Sequence, residues 1–391
     1  MTKQELRLTL LRWAARLGPS PVQPAEWPPR SVLLIRPDHL GDVLFTRPAL
    51  QSLREGWPQT HLTLLVGPWA KAVAEGLSGP DAILTCPFPW FGRRPRGWLL
   101  EPYMSLLSQA GRLRAHRFDL AVILRFDHWW GAWLAQRAGI PRCVGYDVAE
   151  VAPFLTQAVP YQRGRHEVVQ NLGLIEAVLG HGQSGGQPQG AAPTGLTFHP
   201  SDEDRGAAAA LLAAEGLGLE DRLVAVHPGA GALVKLWHNT GWAQVIEALR
   251  AQYGLKAVLT GGQEERDLVA DLSRRLSVPA VNLAGRTPLG QLAAVLGRCR
   301  LVLGVDSGPL HLAVAMGTPT IHLFGPVDPR LFGPWGDPGC HVVLTSERSC
   351  VPCNRLDYPV GELAAHPCVR EIAVEQVLEA ARKLLVQQCD D

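Results

Sequence analysis

An aspartate, a serine and a glycine stand together at positions 306 to 308, directly after the apolar run Leu301 to Val305 and before Pro309. Asp or Ser can cap a helix, Gly lets backbone approach a ligand, and Pro suits a first helical position because its missing N–H is not needed there. A buried strand feeding such a helix start makes an anion site, since free N–H groups and the helix dipole point the same way. Ser307 and Gly308 are therefore candidates to hold phosphate oxygens. Asp306 would repel phosphate, so it is read as capping and orienting the turn, or as meeting a ligand hydroxyl. His311, about one helical turn further on, either faces the ligand or packs inward. Taken alone, the stretch is explained equally well by an ordinary strand-to-helix connection.

Two other places carry chemistry of a matching kind. Asp42, in IRPDHLGDVLFTRPALQSL, follows an apolar run and a Gly, so it is expected at the carboxyl edge of a sheet, as a catalytic carboxylate or as a helix cap. Asp38 and His39 share that turn and either serve the acceptor side of the same site or merely shape the loop. Lys235 lies in HPGAGALVKLWHNTGW, in a loop with Gly229 and Gly231, and a mobile cation in a glycine-rich loop suits a phosphate. Gly262 with Glu264 and Glu265 repeats the layout one unit later, where a carboxylate can take ribose hydroxyls or simply stabilise a helix start. Cys350 and Cys353, with His366 and Cys368, have loose zinc-like spacing; reduced or redox-sensitive thiols are the preferred reading.

The elements that must position these residues alternate. Strand-like runs begin at SVLLIRP, HLTLLVGP, DAILTCP and DLAVILRF, with helical stretches at 42–54, 101–115 and 128–138 between or beside them. After a Gly- and Gln-rich segment the series restarts with LVAVHPG, LKAVLTGG, PAVNLAG, the 301–305 run and 319–324, interleaved with helices at 240–253, 264–276, 289–297 and 310–316. Such alternation predicts an α/β chain of two Rossmann-like, doubly wound domains, with ligand expected in the central cleft that they face. The expected division is an amphipathic helix and Pro-rich connector at 1–30, a first domain at 31–180, a linker at 181–194, a second domain at 195–345, and a Cys-containing segment at 346–391. The last of these ends in a helix expected to cross back to the first domain. In the first 18 residues Leu6, Leu10, Trp13 and Leu17 form one helical stripe flanked by arginines. Packing on its own domain is the preferred role of that stripe, and peripheral contact with a membrane the alternative.

Composition limits the remaining choices. The 391 residues carry a formal net charge of +1, which gives no broad basic field and no case for a nucleic-acid partner. Eight cysteines spread over the chain are unlike a disulfide framework, so a cytoplasmic location is expected. No apolar run reaches the roughly 18 to 20 residues that cross a bilayer. Neither a GxGxxG after Val32 to Ile35 nor a GxxxxGK[ST] occurs, which argues against dinucleotide oxidoreductases and P-loop enzymes.

Three segments together resemble glycosyltransferase family 9, the ADP-heptose:lipopolysaccharide heptosyltransferases and their relatives. They are LLIRPDHLGDVLFTRPALQSLR, VAVHPGAGALVKLWHNTGW and GVDSGPLHLAVAMGTPTIHLFGPVDP, in the family's order and at domain-scale spacing. The resemblance implies a GT-B architecture with an acceptor-binding first domain and a nucleotide-sugar-binding second one. It also implies an inverting transfer from a nucleotide-diphosphate sugar, possibly ADP-heptose, to a cell-envelope glycan or glycolipid, with no cofactor or metal required. Matched residue by residue, Asp42 corresponds to the catalytic base and Lys235 to the diphosphate-contacting lysine. Asp306, Ser307, Gly308 and His311 correspond to the donor-binding turn, and Glu264 or Glu265 to a ribose-contacting acid. A noncatalytic sugar-nucleotide-binding protein, or a GT-B epimerase or hydrolase, is the alternative. The location implied is the cytoplasm, with contact at the inner face of the plasma membrane.

Overall fold

The structure, a computed structural model, describes residues 2–18, 27–92, 98, 100–180 and 195–387. The expected linker at 181–194 and residues 19–26 of the connector lie outside that range. The chain forms two compact units, Met1–Pro193 and Thr194–Asp391.

In the first unit the elements are α1 (Lys3–Arg16), β1 (Ser31–Arg36), α2 (Leu40–Leu44), α3 (Arg47–Gly56), β2 (His61–Val66), α4 (Lys71–Glu75) and β3 (Ala82–Thr85). They continue with α5 (Glu101–Arg114), β4 (Leu120–Ile123), α6 (Trp129–Arg137), β5 (Arg142–Tyr146), β6 (Gln157–Val159) and α7 (Glu167–Leu179). The six strands are parallel, in the order β3-β2-β1-β4-β5-β6. β1 and β4 lie at the centre and are apolar almost throughout, as a strand covered by helices on both faces must be.

The second unit comprises α8 (Asp202–Ala214), β7 (Leu223–His227), α9 (Asn239–Tyr253), β8 (Lys256–Leu259), α10 (Arg266–Arg275), β9 (Ala280–Asn282) and α11 (Leu289–Gly297). β10 (Leu301–Val305), α12 (Gly308–Ala315), β11 (Thr320–Phe324), α13 (Pro329–Phe332), β12 (His341–Thr345) and α14 (Val374–Gln387) complete it. Its parallel order, β9-β8-β7-β10-β11-β12, repeats that of the first unit. In both sheets the order reverses between the unit's first and fourth strands. Successive connections there leave toward opposite faces, so the carboxyl ends of β1/β4 and of β7/β10 are where a crevice opens.

Three expectations are corrected. The single helix expected from Asp42 to Arg54 is two, because Pro48 cannot supply the N–H that an unbroken helix needs and fits only the first turn of α3. The stripe expected to pack α1 on its domain is the exposed one. Leu11 enters the core instead, and the end of α1 is tied down by α6, with Gln136 Nε2 donating to Ala15 O (3.0 Å) and Arg137 Nη1 to Leu17 O (3.1 Å). The final helix, expected on the first domain, packs on the second unit. Val377, Ala380, Ala381, Leu384 and Leu385 of α14 lie in the core of the second unit, against α9 and β10 to β12.

Gly304, inside β10, permits one close approach that the site depends on. A Cβ there would lie 2.4 Å from Leu310 Cδ2 and 2.6 Å from His227 O, so only Gly lets α12 and β7 come this near.

Candidate active site

At the β1/β4 crevice of the first unit, one buried guanidinium gathers three carboxylates. Arg36, the last residue of β1, is 1% exposed. It forms ion pairs with Asp38 (2.7 Å), Glu167 (2.7 Å) and Asp42 (3.4 Å), and Nη1 also donates to Asn171 Oδ1 (3.2 Å) and Leu124 O (3.3 Å). A second guanidinium, Arg125 just past β4, pairs with Asp38 and with Asp127 (2.6 Å). Burial would raise the Asp38 carboxyl, but Arg36 and Arg125 hold it below the ordinary carboxylate range. Asp38 is thus an internal strut, locked from two sides, and Trp69 Nε1 donates to its backbone oxygen (2.9 Å). The acceptor-side role expected of it does not suit that position. His39 is exposed, with its ring 5.9 Å from Trp69.

Asp42 differs from its neighbours in the respect that matters. Its side chain is 31% exposed, against 4% for Asp38 and 10% for Glu167, so it is the carboxylate of the cluster that can touch a substrate. It also has the longest contact to Arg36. Loss of water, then the nearby Asp38 charge, push it up to about 7, with Arg36 pulling the other way and Glu167 adding to the rise. A carboxylate poised there accepts a proton at neutral pH far better than an ordinary one. His128, packed among Phe88, Phe91 and Trp130, is pushed down to about 3 by burial and stays neutral.

Glu167 therefore tunes Asp42 without meeting substrate. In Glu167→Gln the carbonyl still accepts from Arg36, one negative charge is gone, and Arg36 bears more fully on Asp42. The acidic limb of a kcat/KM pH profile is expected to move to lower pH than in the wild type. An unmoved limb with a lower plateau would mean that Glu167 is only a structural brace.

In the second unit the loops after β8, β7 and β10 lie side by side at the carboxyl edge, because these strands are neighbours. Lys235 Nζ is 2.6 Å from Asp306 Oδ2, and His311 Nε2 is 3.7 Å from the other oxygen. Against burial that would raise it, Lys235 and then His311 hold Asp306 down to about 2. Asp306 is not the helix cap expected from the sequence; it aims the lysine. Ser307 occupies the N-cap position of α12, yet its side chain makes no capping bond. Its buried Oγ has no partner among the described residues, and Gly308 opens the helix beside it. A lysine, a spare hydroxyl and a helix N-terminus at one edge form an anion site.

One shell further out, the structure distinguishes the two adjacent glutamates. Glu265 Oε2 accepts from Gly262 N (2.7 Å) and lies 3.7 Å from His227 Nε2. A Cβ on Gly229 would fall 1.9 Å from Glu265 Oε1, so the glycine makes room for this carboxylate. Glu264 points to the exposed side. His227, at the end of β7, bonds Thr260 Oγ1 (3.1 Å) with its other nitrogen.

Cys350, Cys353 and Cys368 are free, the first two exposed and the third buried. The His366 ring lies against Tyr358 (centroids 3.6 Å), and no group of three or more His, Cys, Asp or Glu among the described residues is arranged to hold an ion.

Sequence reading missed Arg36, Arg125, His128, Glu167 and His227. A signal existed for two of them: Ile35-Arg36-Pro37-Asp38 and Leu124-Arg125-Phe126-Asp127 place the same Arg-x-Asp after the two central strands. Glu167 stands 131 residues from its partner Arg36 and has no local signal.

The profile of Glycosyltransferase family 9 (heptosyltransferase) matches residues 106–362. Lipopolysaccharide heptosyltransferase 3 of Escherichia coli K12 is 28% identical over 359 residues, which cover 88% of this chain and 95% of that protein. Lipopolysaccharide heptosyltransferase 1 of Pseudomonas aeruginosa is 27% identical over 348 residues, covering 82% and 85%. In fold, the chain is similar to a family 9 glycosyl transferase from Veillonella parvula, with TM-score 0.77, 23% identity and coverage of 92% and 98%. It is also similar to the E. coli ADP-heptose lps heptosyltransferase II, with TM-score 0.73, 19% identity and coverage of 92% and 99%. The two repeated Rossmann-like units are thus those of a GT-B protein.

Proposed function

Because the chain belongs to glycosyltransferase family 9 and is a glycosyltransferase, we propose that it moves heptose from ADP-heptose to a hydroxyl of a lipopolysaccharide core, inverting the anomeric centre. The observation that carries this reading is that the first unit holds one accessible carboxylate near neutrality, Asp42, and the second an anion site built from Lys235, Ser307 and Gly308. The acceptor oxygen attacks the anomeric carbon as its proton passes to an Asp42 oxygen, and the bond from that carbon to the diphosphate oxygen breaks on the opposite face. Lys235 and the start of α12 offset the charge that grows on the leaving diphosphate, which makes a metal ion unnecessary for that task. Release of Lys235 from Asp306 toward the phosphate leaves Asp306 and His311 for donor hydroxyls. Glu265, rather than Glu264, is assigned to the ribose. His39 is left on the acceptor side.

The relatives' names support the choice of donor and acceptor. The reaction is assigned to the cytoplasm, at the inner face of the plasma membrane; no helix among the described residues is long and apolar enough to cross a membrane. A noncatalytic binder has no use for an accessible base near neutrality, and an epimerase or a hydrolase would consume the donor without a glycan acceptor. The test is ADP release from ADP-heptose with and without a heptose-deficient core acceptor, in the presence of a chelator. Acceptor-dependent release unaffected by chelation, with an inverted product, is expected. Release that ignores the acceptor, or that needs a different nucleotide sugar, overturns the assignment.

A further inference from the structure

We propose that the outer face of the first unit, built from α1, α5 and Trp90 around α6, is a docking surface for an anionic lipid bilayer. The proposal is independent of which sugar is transferred. α1 turns Leu11 inward and leaves Leu6, Leu10, Trp13 and Leu17 exposed, from 46% at Leu6 to 62% at Trp13. Along α5, Leu106, Ala110 and Leu113 are buried, whereas Tyr103, Met104 and Leu107 are exposed; Trp90 is exposed as well.

These residues belong to one surface. The Arg7 guanidinium lies over the Trp129 ring (5.7 Å), and the Trp90 ring is 5.6 Å from Trp129. Trp129 neighbours Trp133 (6.3 Å), which neighbours Tyr103 (5.9 Å). At the far end Arg137 of α6 donates to Leu17 O while its own carbonyl accepts from Arg114 of α5. α1 and α5 therefore flank α6 and run in its direction, and their apolar residues share its outer side.

Charge selects the occupant. On the α1 helical wheel Arg12 and Arg16 border the apolar stripe on one side and Arg7 on the other, all three exposed. The one acid of the helix, Glu5, is tied to its own cap through Thr2. Arg112 and Arg114 close α5. Apolar residues rimmed by arginine, with Trp and Tyr at the boundary between them, match a layer whose interior is hydrocarbon and whose surface is negative. Exposed apolar residues grouped in this way and rimmed by charge mark an interaction surface.

The test is flotation of the full chain with vesicles of phosphatidylglycerol and phosphatidylethanolamine, set beside vesicles of phosphatidylcholine alone. Wild type is expected to float with the anionic vesicles and far less with the neutral ones. The pairs Leu10→Gln/Trp13→Gln and Met104→Gln/Leu107→Gln should each lower the partition coefficient about tenfold or more, since each removes apolar area from the bilayer. Unchanged thermal midpoints and unchanged ADP release with a delipidated acceptor would show that these exposed positions do not support the fold. Binding that ignores both pairs, or no binding at low salt, refutes the proposal. So does a dimer in sedimentation that both pairs abolish while lipid is ignored, since the surface would then join two copies.

Discussion

Asp42→Asn is expected to slow transfer by about 10²-fold or more at saturating donor and acceptor, the range that loss of a general base produces. ADP affinity, read by calorimetry, should not change, because the anion site belongs to the other unit of the chain. Asn fills the same space, and Arg36 keeps Asp38 and Glu167 as counter-charges, so the buried guanidinium is not left bare and the fold should hold. The pH profile supplies the sharper reading. The base works only when deprotonated, and wild-type Asp42 is pushed up to about 7, so activity should fall as pH is lowered through that value. In the variant that limb should vanish and leave a low rate without it. A variant with wild-type kcat, or one that keeps the limb, would remove Asp42 from the reaction.

Lys235→Ala should cost about 10²-fold in kcat/KM, the scale of removing one preorganised group from a developing negative charge. It has a second effect, because Asp306 is 6% exposed and loses its principal counter-charge. An unpaired buried carboxylate costs on the order of 3 kcal/mol, which a denaturant midpoint would register. The double variant Lys235→Ala/Asp306→Asn separates the two, since it should recover the midpoint without recovering transfer. Recovery of both would make the lysine a structural counter-ion. Full activity in the single variant would take it out of the donor site.

The sequence announced the strands at the centre of each sheet and the turns that follow them, since continuous apolar runs ending at Asp or Gly are local patterns. Three strands, β5, β6 and β12, were not legible in this way. β5 opens with Arg and contains Gly, β6 is three residues long, and β12 is half-buried, so none has the apolar run of a covered strand. Asp42, Lys235 and Ser307 stood out because each follows a strand at short range. The network that tunes Asp42 did not, because it joins the end of β1, the loop after β4 and the first turn of α7, which only the fold brings together. The ion pair of Asp306 with Lys235 was not legible for the same reason: the lysine follows β7 and the aspartate β10, and only the sheet sets these strands side by side.

The placement of α14 bears on how the chain is made. The first unit is one continuous stretch of chain, so its core can close while the remainder is still being translated, as N-terminal domains generally do. The second unit must wait. Its strands and α8 to α13 are synthesised before the helix that covers β10, β11 and β12, and until α14 has left the ribosome those strands offer bare Leu and Val to anything nearby. Nascent chains stalled before Val374 are thus the form of this protein that a chaperone would meet.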